Sequence, residues 1–166
     1  MKLMFNGKTI KEQDIINLER KWQVTLPASY KEFLLKNNGG QPEVPSGVEI
    51  LGFPEVASDL NFFLGIRPED KDIGYDLDDN IQFYNQCHPE WFIFPVARDS
   101  SGGVFGFEVV NGVAGAVLFY DLGNPHLYEV AADFQVFMEK ITETDMEEVD
   151  RILREFETKS GKSNEE

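Results

Sequence analysis

Helical and strand patterns fall in separate stretches of this 166-residue sequence, and that segregation predicts the α+β class. Three observations carry it: helical spacing fills residues 12–36, apolar runs divided by hairpin turns fill 91–121, and helical spacing returns from Asp133. The length suits one domain, about 1–158, because a chain of this size buries roughly 70% of the surface it exposes when unfolded. No repeat or linker divides it.

Ile15, Leu18 and Trp22 recur at helical spacing, with Glu12, Glu19, Arg20 and Lys21 left for the wet side, so residues 12–23 read as an amphipathic helix. Pro27 suits an early position of a second helix, whose buried stripe is Tyr30, Phe33 and Leu34; Leu26 packs at the turn between the two. Asn37-Asn38-Gly39-Gly40 ends this helix, because Asn and Gly tolerate left-handed backbone, and Pro42 blocks any resumption. A phosphate loop needs its glycines before a helix, whereas these follow one.

Residues 48–53 and part of 60–66 read as strands, separated by Gly52, Pro54 and Ser58. Asp76 or Asp78 then caps a short helix with Leu77, Ile81 and Tyr84 inward, ending before Pro89. Between 91 and 121, turn chemistry at Asp99-Ser100-Ser101-Gly102-Gly103 and at Asn111-Gly112 predicts an antiparallel meander of three strands. The first and third are apolar on both alternating sets, which implies cover on both faces or a central position, and Pro95 marks a bulge or an edge. After a turn at Gly123-Asn124-Pro125 and a strand over 127–130, Asp133 caps a helix bearing Phe134, Phe137, Met138 and Ile141. Thr144 and Glu147 fit a capping box for an extra C-terminal helix, about 144–158, striped with Met146, Val149, Ile152, Leu153 and Phe156. Residues 159–166 read as a polar tail.

Charge is the most informative total: 15 basic against 30 acidic residues give −15. Residues 1–36 hold seven Lys/Arg and four Asp/Glu, so the acid excess belongs to the later chain. Such a field repels nucleic acid and anionic membrane and speeds encounters with cationic partners. A single cysteine excludes an internal disulfide, and no apolar run approaches bilayer-spanning length, so the chain reads as soluble and cytoplasmic.

Motifs for catalysis are weak. GxSxG, HExxH, a P-loop and a cysteine pair are all missing from the sequence. Cys87 and His88 are neighbours and point apart in an extended chain, so they read as a buried thiol beside a helix-end residue. His126 reads as a half-buried loop residue. The densest carboxylate group is Glu69, Asp70, Asp72, Asp76, Asp78 and Asp79. A calcium loop wants Gly sixth and Glu twelfth; counted from Asp70, Gly74 falls fifth and Ile81 twelfth. No metal or cofactor site is therefore expected, and the group reads as a solvated acidic loop or a protein-docking loop.

The ordered blocks IINLERKW (15–22) and LPASYKEFLLKNNGG (26–40) resemble the signature of the SUKH superfamily, the Smi/Knr-like domains. WFIFPVARDSSGGVFGFE (91–108) is similar to that family's apolar strand, Asp/Gly-rich turn and aromatic strand, and VLFYD (117–121) and AADFQVFMEKI (131–141) to its later strand and closing helix. The similarity spans about residues 10–141 and leaves the helix from Thr144 outside the shared core. It implies an α+β domain with a mixed, largely antiparallel sheet flanked by helices, and a non-enzymatic role with no catalytic residues to carry over. Bacterial members of the family are mostly immunity proteins that neutralise polymorphic toxins, frequently nucleases or nucleic-acid deaminases; fungal relatives are regulators.

A toxin that handles nucleic acid needs a cationic cleft, which carboxylates can occupy where phosphates would sit. The expected contact set is Glu69, Asp70, Asp72, Asp76, Asp78, Asp79 and Glu90, with Tyr75 and Tyr84 as anchors. The expected partner is a basic toxin domain, with no direct contact to nucleic acid or membrane, and the expected state is a monomer or weak homodimer. Alternatives are a regulatory scaffold on the same fold and a small metal-dependent hydrolase.

Overall fold

The computed structural model describes residues 1–50, 57–69, 74–87, 89–123, 126–147, 151 and 154. Its elements run β1 (Leu3–Met4), α1 (Glu12–Trp22), α2 (Ala28–Asn37), β2 (Gln41–Pro42), β3 (Ser46–Glu49), β4 (Ala57–Asp59), β5 (Phe62–Phe63), α3 (Leu77–Cys87), β6 (Ile93–Arg98), β7 (Val104–Val110), β8 (Val113–Tyr120), β9 (Leu127–Ala131), α4 (Phe134–Lys140) and β10 (Thr142–Glu143). The α+β class is as expected. The main sheet has five strands in the order β5-β6-β7-β8-β9, beside a β10-β3-β4 sheet and a β1-β2 pair. Every ladder between these strands is antiparallel. Parallel pairing among the described residues is limited to isolated bridges, Thr25 with Val113 and Gly65 with Asp76.

One face of the main sheet carries an aromatic core. Tyr30 of α2 meets Phe94 and Phe107 of the sheet edge-on and Phe134 of α4 at 5.0 Å between ring centroids. Phe137 of α4 contacts Phe105, which contacts Phe119 in turn. The bulky phenylalanines thus fuse two helices to the sheet, each fully buried ring contributing roughly 2–3 kcal/mol relative to exposure.

Local chemistry sets the element ends. Asn38 closes α2 in the left-handed region at φ 48°, and its N–H bonds the Leu34 carbonyl at 2.8 Å. Gly39 follows at φ +81°, where a Cβ would stand 2.6 Å from the Phe63 carbonyl oxygen. The glycines therefore both end the helix and let the chain run against β5, with Gly40 and Phe63 exchanging backbone hydrogen bonds. Asp133 caps α4 by accepting from the Val136 N–H at 2.9 Å. At the first hairpin the buried Asp99 carboxylate accepts from the Ser101 and Gly103 N–H groups and from the Ser58 and Ser101 hydroxyls. Asn111 and Gly112, both at positive φ, make the second hairpin.

Several expectations shift. Pro27 sits at the N-cap of α2 in extended conformation, one residue before the helix begins. Ser58 lies inside β4, paired to Val48, because its hydroxyl has a buried partner in Asp99. The expected strand at 48–53 is seen as Ser46–Glu49; Gly52 and Pro54 lie outside the described residues, as do Asn124 and Pro125. Pro95 marks a bulge, with the register shifting between it and Ala97. Both strands named are interior to the sheet, as the second of the two readings had it, and cover on both faces is added for β6, while β8 leaves Gly115, Ala116 and Leu118 only half-buried. Cys87 is exposed at the end of α3, so the expected buried thiol is corrected; His88 lies outside the described residues. His126 is exposed beside the Tyr128 ring.

Met146, Glu147, Arg151 and Arg154 are helical, and the rest of the expected C-terminal helix lies outside the described residues. The acceptor at its start is Asp145, bonded by the Glu147 N–H at 3.0 Å, rather than Thr144. Thr144 is tied instead through its own N–H to the Pro45 carbonyl.

Candidate partner-binding surface

The acidic segment begins where β5 leaves the main sheet. Arg67, 7% exposed, is enclosed there: its guanidinium donates to the Phe5 carbonyl at 2.7 Å and stands 5.3 Å from the Phe62 ring and 5.9 Å from that of Tyr75. Tyr75 stacks on Phe62 with centroids 3.6 Å apart. Asp76 is 2% exposed and folds inward, its carboxylate accepting the Arg67 N–H at 2.8 Å and the Asp79 N–H at 3.3 Å. It is the α3 cap, the first of the two candidates the sequence offered. Its carboxylate is engaged by backbone donors and turned away from solvent.

Tyr84 is turned inward as well. It is 3% exposed, donates to the Gly102 carbonyl at 2.8 Å and packs edge-on against Tyr120, so it anchors α3 to the first hairpin rather than a partner. Burial raises its hydroxyl above the ordinary value of 10.0, with nearby Arg98 pulling the other way.

Asp78 is half-buried and bridges two helices, accepting from Lys21 Nζ at 2.6 Å and from the Trp22 indole N–H at 2.9 Å. Asp79 is half-buried on α3; Glu69, 3.5 Å from Lys8 Nζ, and Glu90 are exposed. Asp70 and Asp72 lie outside the described residues. The outward part of the expected set is therefore Glu69 and Glu90, with Tyr75, Asp78 and Asp79 at the margin. Lys21 and Trp22 were not legible as partners of Asp78, being more than fifty residues away in sequence, although both lie at the wet or bordering positions of the α1 pattern.

Asp76, Asp78 and Asp79 bring carboxylate oxygens within 4.8 Å of one another. Backbone N–H groups hold Asp76, and a cation and an indole hold Asp78, so the geometry serves a helix start and an interhelical tie. Beside them a shallow hollow of about 260 Å³ is floored by Leu18, Ile66 and Pro68 and edged by Asp14, Lys21 and Asp78. Such a rim can receive the tip of a cationic side chain.

A model of the SMI1 / KNR4 family (SUKH-1) matches residues 9–140. The chain belongs to this family. The match takes in α1, α2, the main sheet and α4, and ends before β10 and the C-terminal helix. No curated protein matches the chain. In SUKH-1 terms, the Leu-Pro helix start and the Asn-Gly-Gly stop are scaffold: Leu26 is buried and donates its N–H to Glu19, while Asn38 and Gly39 seat α2 on β5. No helix among the described residues is long and apolar enough to cross a membrane.

Proposed function

We propose that this SUKH-1 protein is a non-enzymatic immunity protein: it acts in the cytoplasm and binds and neutralises a basic, nucleic-acid-targeting toxin domain. The observation that supports it most is the family match over 9–140, to which the formal charge of −15 adds the sign of the partner. A carboxylate-bearing body placed in a cationic cleft blocks phosphate there and needs no chemistry of its own. Long-range attraction would speed association, while a few desolvated contacts would set the lifetime of the complex.

The test is protection. Basic, nucleic-acid-targeting toxin domains are each expressed with and without the chain in the same cells. Survival restored by the chain, together with a stable complex of the two purified proteins, is the expected result. Equal killing in both arms overturns the reading, and an unaltered toxin alongside a changed signalling phenotype would favour the regulatory alternative.

A further inference from the structure

The sheet face opposite α2 and α4 is only partly covered. Tyr84 of α3 and Trp91 lie over Ile93, Val104 and Tyr120, and Leu127 packs at their margin. Register places the next residues of the same face. Ile93 pairs with Glu108, Gly106 pairs with Leu118, and Leu118 pairs with Glu129. Because side chains alternate along a strand, Glu108 shares the face of its neighbour Ile93, and Leu118 that of Tyr120 two residues on. Val110 pairs with Val113 at the end of the same hairpin, and each is 56% exposed.

The apolar part of this face is half-buried Leu118 together with Val110 and Val113 at the hairpin end, and two exposed carboxylates stand beside it, Glu129 paired with Leu118 on β9 and Glu108 between Gly106 and Val110 on β7. Neither side-chain carboxylate makes a hydrogen bond or ion pair with any described residue. This separates them from Asp76 and Asp78, whose oxygens are engaged inside the molecule. An exposed apolar strip on a sheet marks an interaction surface, and unpaired carboxylates beside it set the sign of what fits. Long Lys and Arg stems can lie along the apolar strip while their heads reach the glutamates.

We propose that this open half-face is where the partner docks, and that it takes a basic protein segment whose side chains alternate between apolar and Lys/Arg. The inference rests on the reading of the chain as a binder of a cationic protein and gives that reading a surface. Phosphate-bearing polymers and anionic lipid are repelled by the same two carboxylates.

The test uses a synthetic peptide of alternating Leu and Lys, titrated into the isotopically labelled chain and followed by amide chemical shifts, with a Leu/Glu peptide as control. Shifts centred on residues 106–118 and 127–129 are expected. The double variant Glu108→Lys, Glu129→Lys should bind at least ~10-fold more weakly, and Glu12→Lys at the exposed start of α1 should not. Since neither glutamate holds a structural partner, the double variant should keep its dispersed spectrum. No peptide binding, shifts centred on α3, or an equal loss from Glu12→Lys would overturn the surface. Toxin protection that survives the double variant removes this surface and leaves the proposed function; peptide binding without toxin protection does the reverse.

Discussion

The Asn38 carboxamide grips the backbone of Ile66 at both ends, its Oδ1 accepting the Ile66 N–H at 2.8 Å and its Nδ2 donating to the Ile66 carbonyl at 2.9 Å. The same Nδ2 donates to the Lys8 carbonyl at 2.9 Å, so one side chain fastens the N-terminal segment and the exit of β5 to the end of α2. It is 2% exposed, which leaves water no route to replace it. Asn38→Gly keeps the left-handed backbone and loses the grip; Asn38→Ala loses both. Chemical denaturation should show a loss of about 2–3 kcal/mol for Gly and more for Ala, from three half-buried hydrogen bonds lost together and then backbone strain. Equal stability of wild type and Asn38→Gly would show the grip to be idle.

Tyr30 predicts an alkaline limit to stability. Its hydroxyl is fully buried among aromatic rings with no hydrogen-bond partner among the described residues, and burial holds its ionisation far above the ordinary 10.0. Below pH 10 the group is neutral folded or unfolded and adds no pH dependence. Above it the unfolded chain releases this proton while the folded chain keeps it, so stability falls as pH rises. Tyr30→Phe should remove that component of the slope and, by deleting an unsatisfied hydroxyl, gain about 1 kcal/mol at neutral pH. Melting curves between pH 7 and roughly 11 measure both; a destabilised variant would contradict the packing described.

Much of the fold was legible because its signals are local. Helical spacing, the Asp133 cap, the Asn-Gly hairpin and the Pro95 bulge each reside in a few consecutive residues. The candidate site was read less well, for the opposite reason. A run of carboxylates looks solvated in one dimension, and it takes Lys21 and Trp22 from a distant stretch to engage Asp78 and the Arg67 N–H, nine residues upstream, to hold Asp76 inward. Glu108 and Glu129 were invisible as a pair because strand register, not sequence, places them on one open face.

Asp78 should behave as a tie between helices. Asp78→Asn keeps an acceptor for the Trp22 indole and loses the ion pair with Lys21, whose side chain is 59% exposed, so the loss should stay near or below about 0.5 kcal/mol. Asp78→Ala loses both and should cost about 1–2 kcal/mol. Urea unfolding monitored by Trp fluorescence separates the two; equal costs would mean the indole bond contributes nothing.

Asp99 should be the least replaceable residue of the first hairpin. Four donors converge on its buried carboxylate, among them the Gly103 N–H at 2.6 Å and the Ser58 hydroxyl from a different sheet. Asp99→Ala strands them together, and a loss of about 3 kcal/mol is expected by thermal or urea unfolding. Ser58→Ala, which removes one donor, should cost roughly 1 kcal/mol; a larger effect from Ser58→Ala than from Asp99→Ala would refute this ordering.

The most direct measurement is calorimetric titration of the purified chain with a panel of basic, nucleic-acid-targeting toxin domains, at low and high salt. An electrically matched complex should form one-to-one and weaken as salt rises. An absence of binding at both salt concentrations, with both proteins folded, would contradict the central claim that this protein acts by occupying a cationic surface.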